Sequence, residues 1–283
     1  MVSSTTAACL GPSPTTVKQE SSSSASNLFA TLVIPICIII GILLYKFVLG
    51  DANNFIDNNA ENLPKAGNYA GMAYKGGVIV PILMGMLLMV IVFSVERFIV
   101  IGKATGTASL DAFIKKVQGL LNSNNIEAAL VECDKQKGSV ANVIKSGLKK
   151  YREMETDTNM DTDQKLLAIQ KDIEEATTLE MPMLEQNLTV IATLVSVGTL
   201  MGLLGTVTGM IKAFGGLGAA GSQDSAALAT GISEALINTA TGIGTSTTAI
   251  IMYNILTSKI DKLTYAIDEA GFSIIQTYAS THK

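Results

Sequence analysis

Residues 188–211 read LTVIATLVSVGTLMGLLGTVTGMI, an uncharged apolar stretch that contains four glycines and several hydroxyl side chains. At about 1.5 Å of rise per residue, such a helix can cross the roughly 30 Å hydrocarbon core of a bilayer. A second stretch, residues 226–257, contains Glu234, Asn238 and a run of hydroxyls from Thr239 to Thr248. A carboxylate near the bilayer centre costs roughly 2.5–3.5 kcal/mol on insertion scales, so a membrane helix that keeps one usually uses it. This pair of segments favours a role in ion movement.

Two more apolar stretches, residues 28–49 and 78–101, are also long enough to span a membrane. The chain of 283 residues is 48% hydrophobic and only 16% charged, which is too apolar for an ordinary soluble protein. We therefore predict an all-α integral membrane protein with four transmembrane helices and a helical domain outside the membrane.

The polar regions between the apolar stretches complete the predicted organisation. Residues 1–27 are rich in Ser, Thr, Ala and Pro, a composition typical of disorder. The predicted segments are a disordered tail (1–27), an additional transmembrane helix (28–49), a periplasmic link (50–77), a transmembrane helix (78–101), a cytoplasmic helical domain (102–185), a third transmembrane helix (186–214), a periplasmic loop (215–225), a fourth transmembrane helix (226–257) and a cytoplasmic C-terminal helix or tail (258–283).

The distribution of basic residues predicts the orientation. Eleven of the 20 Lys and Arg residues lie between Gly102 and Glu185, whereas the two predicted periplasmic segments together contain only Lys65 and Lys75. By the positive-inside rule, the large polar segment and both termini are then cytoplasmic. Within that segment, apolar residues recur at helical spacing, and a long last helix is expected to continue into the third span with no more than a bend at Pro182.

The third span has one polar face and one face of small residues. On a helical projection, Ser196, Thr199 and Thr206 share a narrow face. Small residues beside that face let another helix backbone approach closely, and packing is the interpretation favoured for the glycines. The glycines of this predicted packing seam are Gly198, Gly202, Gly205 and Gly209.

The fourth span is polar on two faces. Asn238, Thr241 and Thr245 lie within about 40° of Glu234, and Thr239 and Ser246 form a second stripe about 130° away. A helix with two polar faces cannot turn either one to lipid, so one stripe is expected to meet a neighbouring helix and the other to line a hydrated path. For the hydroxyls, hydrogen bonds to backbone carbonyls of the same helix are the alternative.

Several function classes are disfavoured. Cys9, Cys37 and Cys133 are far apart and have no metal-ligand spacing, and the single histidine, His282, is next to the last residue. The sequence contains neither a GxxxxGK[ST] phosphate loop nor a basic stripe with interleaved aromatic residues. We therefore expect no enzymatic activity, no cofactor or metal, and no nucleic-acid partner.

The residues of the last two spans resemble a known family. Residues 203–210 (LLGTVTGM) and 231–236 (GISEAL), with the following stretch to Asn254, are similar to the two pore helices of the MotA/TolQ/ExbB proton-channel family. The VERF sequence at residues 95–98 resembles the end of that family's first conserved span. The resemblance extends from Val78 to the C-terminus and is closer to the ExbB/TolQ branch than to MotA.

The resemblance implies a homo-oligomeric ring, a pentamer in relatives, in the bacterial inner (cytoplasmic) membrane. The ring would surround a one-span partner of the ExbD/TolR type, whose membrane Asp binds the proton, and would act with a TonB-like protein on outer-membrane transport. It implies that Thr206 and Thr239 belong to the pore wall, to which we add Thr199 and Ser246. Glu234, with Asn238 beside it, is then predicted to lie between subunits or at the entrance.

The chain departs from the family pattern in three ways, which leave alternatives open. Thr199 and Thr248 stand where the family often has proline, and Asn238 stands where sodium-driven relatives also have a polar residue, so the coupling ion is H⁺ or Na⁺. The span at 28–49 is an addition to the three-span ExbB/TolQ plan. The alternatives to an ExbB-type subunit are a TolQ-like envelope subunit, a motility stator, and a structural membrane scaffold in which Glu234 only pairs with a basic group.

Overall fold

The computed structural model describes residues 22–59, 62, 64, 65, 67–220 and 225–282. Within these residues the only extended pairing is an isolated bridge between Phe55 and Pro64, which confirms the all-α prediction. The α-helices are α1 (Ser22–Leu44), α2 (Tyr69–Tyr74), α3 (Ile79–Thr105), α4 (Leu110–Asn122), α5 (Ile126–Gln136), α6 (Ser139–Thr156), α7 (Thr162–Glu185), α8 (Leu188–Ala220) and α9 (Ser225–Thr281). A π-helical turn, Tyr45–Leu49, extends α1, and two short 3₁₀ turns, Ala52–Asn54 and Ile56–Asn58, follow it.

Three segments of the described chain are long and apolar enough to cross a membrane: Thr31–Leu49, a window within Ile79–Asn122, and Leu188–Gly215. They overlap most of the first three predicted spans. The fourth, residues 226–257, forms part of α9 and is not among them, because its polar side chains lower its hydropathy. Four spans therefore stay a prediction.

The long helices pack side by side. α8 and α9 form an antiparallel hairpin, in which Gly205 faces Asn238. α3 runs parallel to α9, and the ammonium of Lys259 in α9 lies 4.8 Å from the ring centre of Phe98 in α3. α1 runs antiparallel to α3 on its other side, where Gly41 lies against the backbone of Gly85. We call the end of this bundle near residues 45–77 the outer end.

At the opposite end, α4 to α7 pack around the C-terminal half of α9 and form the helical domain. Their apolar residues recur every three or four positions, and the buried face includes Val117, Leu148 and Ile169. Asp161 begins α7 with a capping box that also uses the Gln164 side chain. The 57-residue α9 is about 85 Å long at 1.5 Å per residue, so it serves both regions.

Some predicted boundaries are wrong. The predicted disordered tail ended at residue 27, but α1 begins at Ser22; residues 1–21 lie outside the described part. The predicted loop 215–225 is shorter, because α8 continues to Ala220. α7 does not continue into α8: it ends at Glu185, and Asn187 adopts a left-handed φ of 64°. The expected bend at Pro182 is a complete break a few residues later.

Candidate functional site

The α8–α9 hairpin brings the predicted packing glycines to one contact. A Cβ atom on Gly202 would lie 3.1 Å from the carbonyl oxygen of Asn238, and one on Gly242 would lie 2.7 Å from Cα of Gly202. Each helix therefore has a glycine at the point where the backbone of the other helix approaches, so no side chain separates them. The remaining glycines of the seam face α9 in the same way, Gly198 at Ser246, Gly205 at Asn238 and Gly209 at Ala235.

Thr199 and Ser246, predicted on different spans, are brought together. The Thr199 hydroxyl donates to Ser246 Oγ over 2.8 Å, and Ser246 Oγ donates to the carbonyl of Val195 over 2.7 Å. Ser246 is buried, whereas Thr199 is largely exposed. This hydroxyl pair therefore joins the two helices near the middle of the hairpin, with one member on its surface.

Within the described part of the chain, Thr206 and Thr239 form no hydrogen bond with each other. The Thr206 hydroxyl donates to the carbonyl of Leu203 over 2.6 Å, and the Thr239 hydroxyl donates to that of Ala235 over 3.1 Å. For Thr239, such back-bonding is the alternative that the sequence leaves open for the hydroxyls of the fourth span. Both side chains are half-buried, and Thr206 lies in an open apolar groove of about 570 Å³ along α8.

Glu234 pairs with a basic group of the same chain, as the scaffold alternative expects, although the sequence did not identify which residue. Its Oε1 accepts a hydrogen bond from Lys212 Nζ over 2.7 Å, and only 8% of the residue is exposed. The signal available in the sequence was that Lys212 is the one basic residue between Lys171 and Lys259. Within one chain, the pair neutralises the carboxylate that the sequence predicted between subunits or at the entrance.

Asn238, one helical turn after Glu234, is fully buried. Its Nδ2 donates to the carbonyl of Gly76 over 2.9 Å, while its Oδ1 accepts no hydrogen bond from any residue that the structure describes. Beside it, Gly77 has a φ of 79° and lies directly against the Glu234 carboxylate. The link before α3 therefore takes part in the site, which the sequence did not predict.

A second polar cluster fixes the break between α7 and α8. Arg97 in α3 is 2% exposed, and its guanidinium donates to both carboxylate oxygens of Glu96 and, over 3.0 Å, to the carbonyl of Met183. Asn187 Nδ2 donates to Glu96 over 3.4 Å. A buried guanidinium needs such partners, and the carbonyl of the ending helix supplies one. The motif at residues 95–98 supports the family resemblance, but the sequence does not show that Arg97 binds the end of α7.

Outside the spans, the free thiol of Cys133 is 2% exposed in the helical domain, and burial raises its pKa to about 12. In the described part of the chain, no three His, Cys, Asp or Glu side chains are grouped so that they could hold a metal ion.

Residues 135–269 match the family model described as MotA/TolQ/ExbB proton channel family. The chain is 27% identical over 183 residues to the Tol-Pal system protein TolQ of Pseudomonas aeruginosa, an alignment covering 63% of this chain and 79% of that protein. It is 30% identical over 112 residues to a putative biopolymer transport protein ExbB-like 3 of Synechocystis, covering 39% of this chain and 53% of the relative. It is 38% identical over 80 residues to the biopolymer transport protein ExbB of Helicobacter pylori, covering 28% of this chain and 55% of that protein. The chain thus spans about half the length of these two ExbB relatives.

Proposed function

Because the chain carries a domain of the MotA/TolQ/ExbB proton channel family, we propose that it is the ExbB-type subunit of an ion-driven motor in the bacterial inner membrane. In this proposal, five copies form a ring around an ExbD-like one-span partner, with both termini of each copy in the cytoplasm. Ion flow through the complex is coupled, through a TonB-like protein, to transport across the outer membrane. A potential of 100 mV supplies about 2.3 kcal/mol for each charge that crosses.

The observation that carries the proposal is the α8–α9 hairpin within the matched region. Thr206 and Thr239 are half-buried in a single chain, so each retains surface that a neighbouring helix can cover. A hydroxyl that donates to its own backbone still has lone pairs that accept from water or a protonated carboxyl. Back-bonded threonines therefore suit a pore wall that accepts hydrogen bonds from water or from a protonated carboxyl and carries no charge itself.

The test is ion flux through proteoliposomes that contain the chain and its one-span partner. We expect Thr206→Ala and Thr239→Ala each to lower proton flux at least tenfold, because each removes a hydroxyl from the path. Thr193→Ala is the matched control: Thr193 is exposed on another face of α8, and its hydroxyl also donates to a backbone carbonyl of its own helix, that of Thr189. Full flux in both pore variants, with either a proton or a sodium gradient, would disprove the pore-wall assignment.

The same vesicles address the coupling ion. Asn238 is fully buried and its Nδ2 donates to Gly76, whereas its Oδ1, the atom that could coordinate sodium, accepts no hydrogen bond from the described residues, so both ions are tested. Flux that persists in sodium-free buffer across a pH gradient identifies H⁺ as the coupling ion, and flux that requires sodium identifies Na⁺.

A TolQ-like envelope subunit is the second candidate, because the alignment with a TolQ protein covers more of the relative than either ExbB alignment. Deletion of the chain's gene separates the two: lost TonB-dependent uptake favours the ExbB role, and a leaky envelope favours the TolQ role. A motility defect would instead favour a stator.

The Lys212–Glu234 pair favours the structural scaffold as a third candidate, since it leaves Glu234 neutralised within the chain. A complex that assembles with its partner, yet carries no flux in either gradient, would support the scaffold.

A further inference from the structure

The segment between α1 and α3 folds into a compact unit at the outer end, which we call the outer cap (residues 45–59 and 67–77). Its centre is aromatic. The ring of Tyr45 stacks on that of Tyr74 with centroids 4.8 Å apart, and the Tyr45 hydroxyl donates to the Tyr74 carbonyl over 2.7 Å. Phe55 is fully buried, and its ring meets Tyr74 edge-on at 5.5 Å. The cap is therefore attached to the end of the additional helix α1.

Amides complete the outer cap. Asn54 Nδ2 donates to the carbonyls of Val48 and Leu49, over 3.0 and 3.1 Å. Asn68 Nδ2 donates to Asn54 Oδ1 over 3.0 Å, and Asn68 also caps α2. These bonds join the π-helical turn, the first 3₁₀ turn and the start of α2 into one connected unit.

The outer cap ends on two glycines that press against α9. The carbonyl of Gly76 accepts from the Asn238 amide, and a Cβ atom on Gly76 would lie 3.1 Å from Ile237 Cγ2. Gly77 adopts a φ of 79°, and a Cβ atom there would overlap the Glu234 carboxylate. Only glycine combines this backbone conformation with so close an approach.

This contact buries the site within one chain. Glu234 is 8% exposed and Asn238 is 0% exposed, with α8 on one side and the outer cap on the other. The closed arrangement also has a weak point, because Asn238 Oδ1 is buried and accepts no hydrogen bond within the described part of the chain. Displacement of the cap would let water reach that oxygen, which offsets part of the free energy lost when the Gly76 contact breaks.

We propose that the outer cap controls access from the outer end to Glu234 and Asn238, and that Gly76 and Gly77 are the residues that close it. The inference rests on the proposed function, in which Glu234 stands at the entrance of the ion path. It also assigns a role to the additional helix, because the cap continues directly from the end of α1 and the Tyr45–Tyr74 contact joins α2 to that junction. The cap then limits ion entry until a movement of α1 or α9 displaces it.

The test is the accessibility of a cysteine placed under the cap. The reporter is Ile237→Cys in the full-length chain, with Cys9→Ser, Cys37→Ala and Cys133→Ala, and the probe is a charged, membrane-impermeant methanethiosulfonate added at the outer side. We expect Gly77→Ala to raise the labelling rate at least tenfold, because the added methyl group would overlap the Glu234 carboxylate and so break the contact that closes the cap.

Gly67→Ala is the matched control. Gly67 has the same φ of 79°, but a Cβ atom there would have no neighbour within 4 Å. Any backbone strain is therefore common to both variants, and only Gly77→Ala changes the contact with Glu234. Equal labelling rates in the two variants would overturn the inference, as would a parent reporter that is already labelled as fast as a fully exposed cysteine.

A second variant keeps the test decisive if Gly77→Ala does not fold. Tyr45→Phe keeps the stacked ring but removes its hydrogen bond to the Tyr74 carbonyl, and we expect it to raise labelling about threefold. An unchanged rate in that variant would refute the cap. Labelling requires no ion flux, so threonine variants with full flux would refute the proposed pore while leaving this result intact.

Discussion

The α8–α9 hairpin and the helical domain share one helix, α9, yet they are packed in opposite ways. In the hairpin, glycines such as Gly202 and Gly242 bring two backbones together. In the domain, the same helix buries large side chains of its own, among them Tyr278 and Ile267. Lipid provides little hydrophobic force between helices, so close backbone approach matters there, whereas burial of apolar surface dominates in water. We therefore expect the hairpin to be destabilised by substitutions that enlarge its glycines, and the domain to be destabilised by substitutions that remove its large side chains.

The largest effect is expected from removal of Tyr278 in the domain. The residue is fully buried, its ring packs against Tyr151 and His282, and its hydroxyl donates to the carbonyl of Met154. Tyr278→Ala should lower the free energy of unfolding by about 3–5 kcal/mol, the range for large aromatic deletions. Thermal unfolding of the detergent-solubilised protein measures it.

Phe272→Ala is the control on the same helix, because Phe272 is 67% exposed and its removal should change stability by no more than about 0.5 kcal/mol. If both variants lost the same stability, the packing contrast would not describe the domain.

A smaller loss of stability is expected in the hairpin, where it is caused by an added methyl group rather than by a removed side chain. A Cβ atom on Gly242 would lie 2.7 Å from the carbonyl oxygen of Gly198 and from Cα of Gly202. Both are backbone atoms and cannot move alone, so Gly242→Ala should cost about 1–3 kcal/mol by overpacking. Reversible unfolding in mixed detergent micelles measures the loss.

Gly244→Ala provides the comparison two residues away, since a Cβ atom there would have no neighbour within 4 Å. Alanine is favoured over glycine in a helix by about 0.5–1 kcal/mol, so this variant should be neutral or stabilised. A loss as large as that of Gly242→Ala would show that the seam does not hold the hairpin.

The smallest effect on stability is expected from Cys133, whose alkylation rate reports how closed the domain is. Burial raises the pKa of Cys133 from 9.0 to about 12. In a chain whose other cysteines are replaced, alkylation at pH 8 should be slow until denaturant opens the domain. The raised pKa also implies a stability contribution that is complete below about pH 9 and declines as the pH rises towards 12.

Its control is Ser123→Cys, an exposed position after α4, in a chain without Cys133. That thiol should react at the rate of a free cysteine. Fast alkylation of Cys133 without denaturant would mean that the domain is more open than its packing indicates.

The sequence predicted the helices well where a repeating pattern of apolar residues specified them, as in the third span and the helical domain. It failed at the α7–α8 break, because Arg97 and Met183 are 86 residues apart and their hydrogen bond is invisible to any local pattern. It failed similarly for Lys212 and Gly76, whose contacts with Glu234 and Asn238 depend on how the helices cross.

The sequence by itself determined the helical class, the apolar stretches and the residue types of the two polar stripes, because helix periodicity and lipid solvation act on neighbouring positions. Only the tertiary structure decided what those stripes meet. Glu234 pairs with Lys212 and touches Gly77, while Thr199 bonds to Ser246 across the hairpin. These contacts follow from close backbone approach at glycines, where small differences in helix crossing decide which polar groups come within bonding distance.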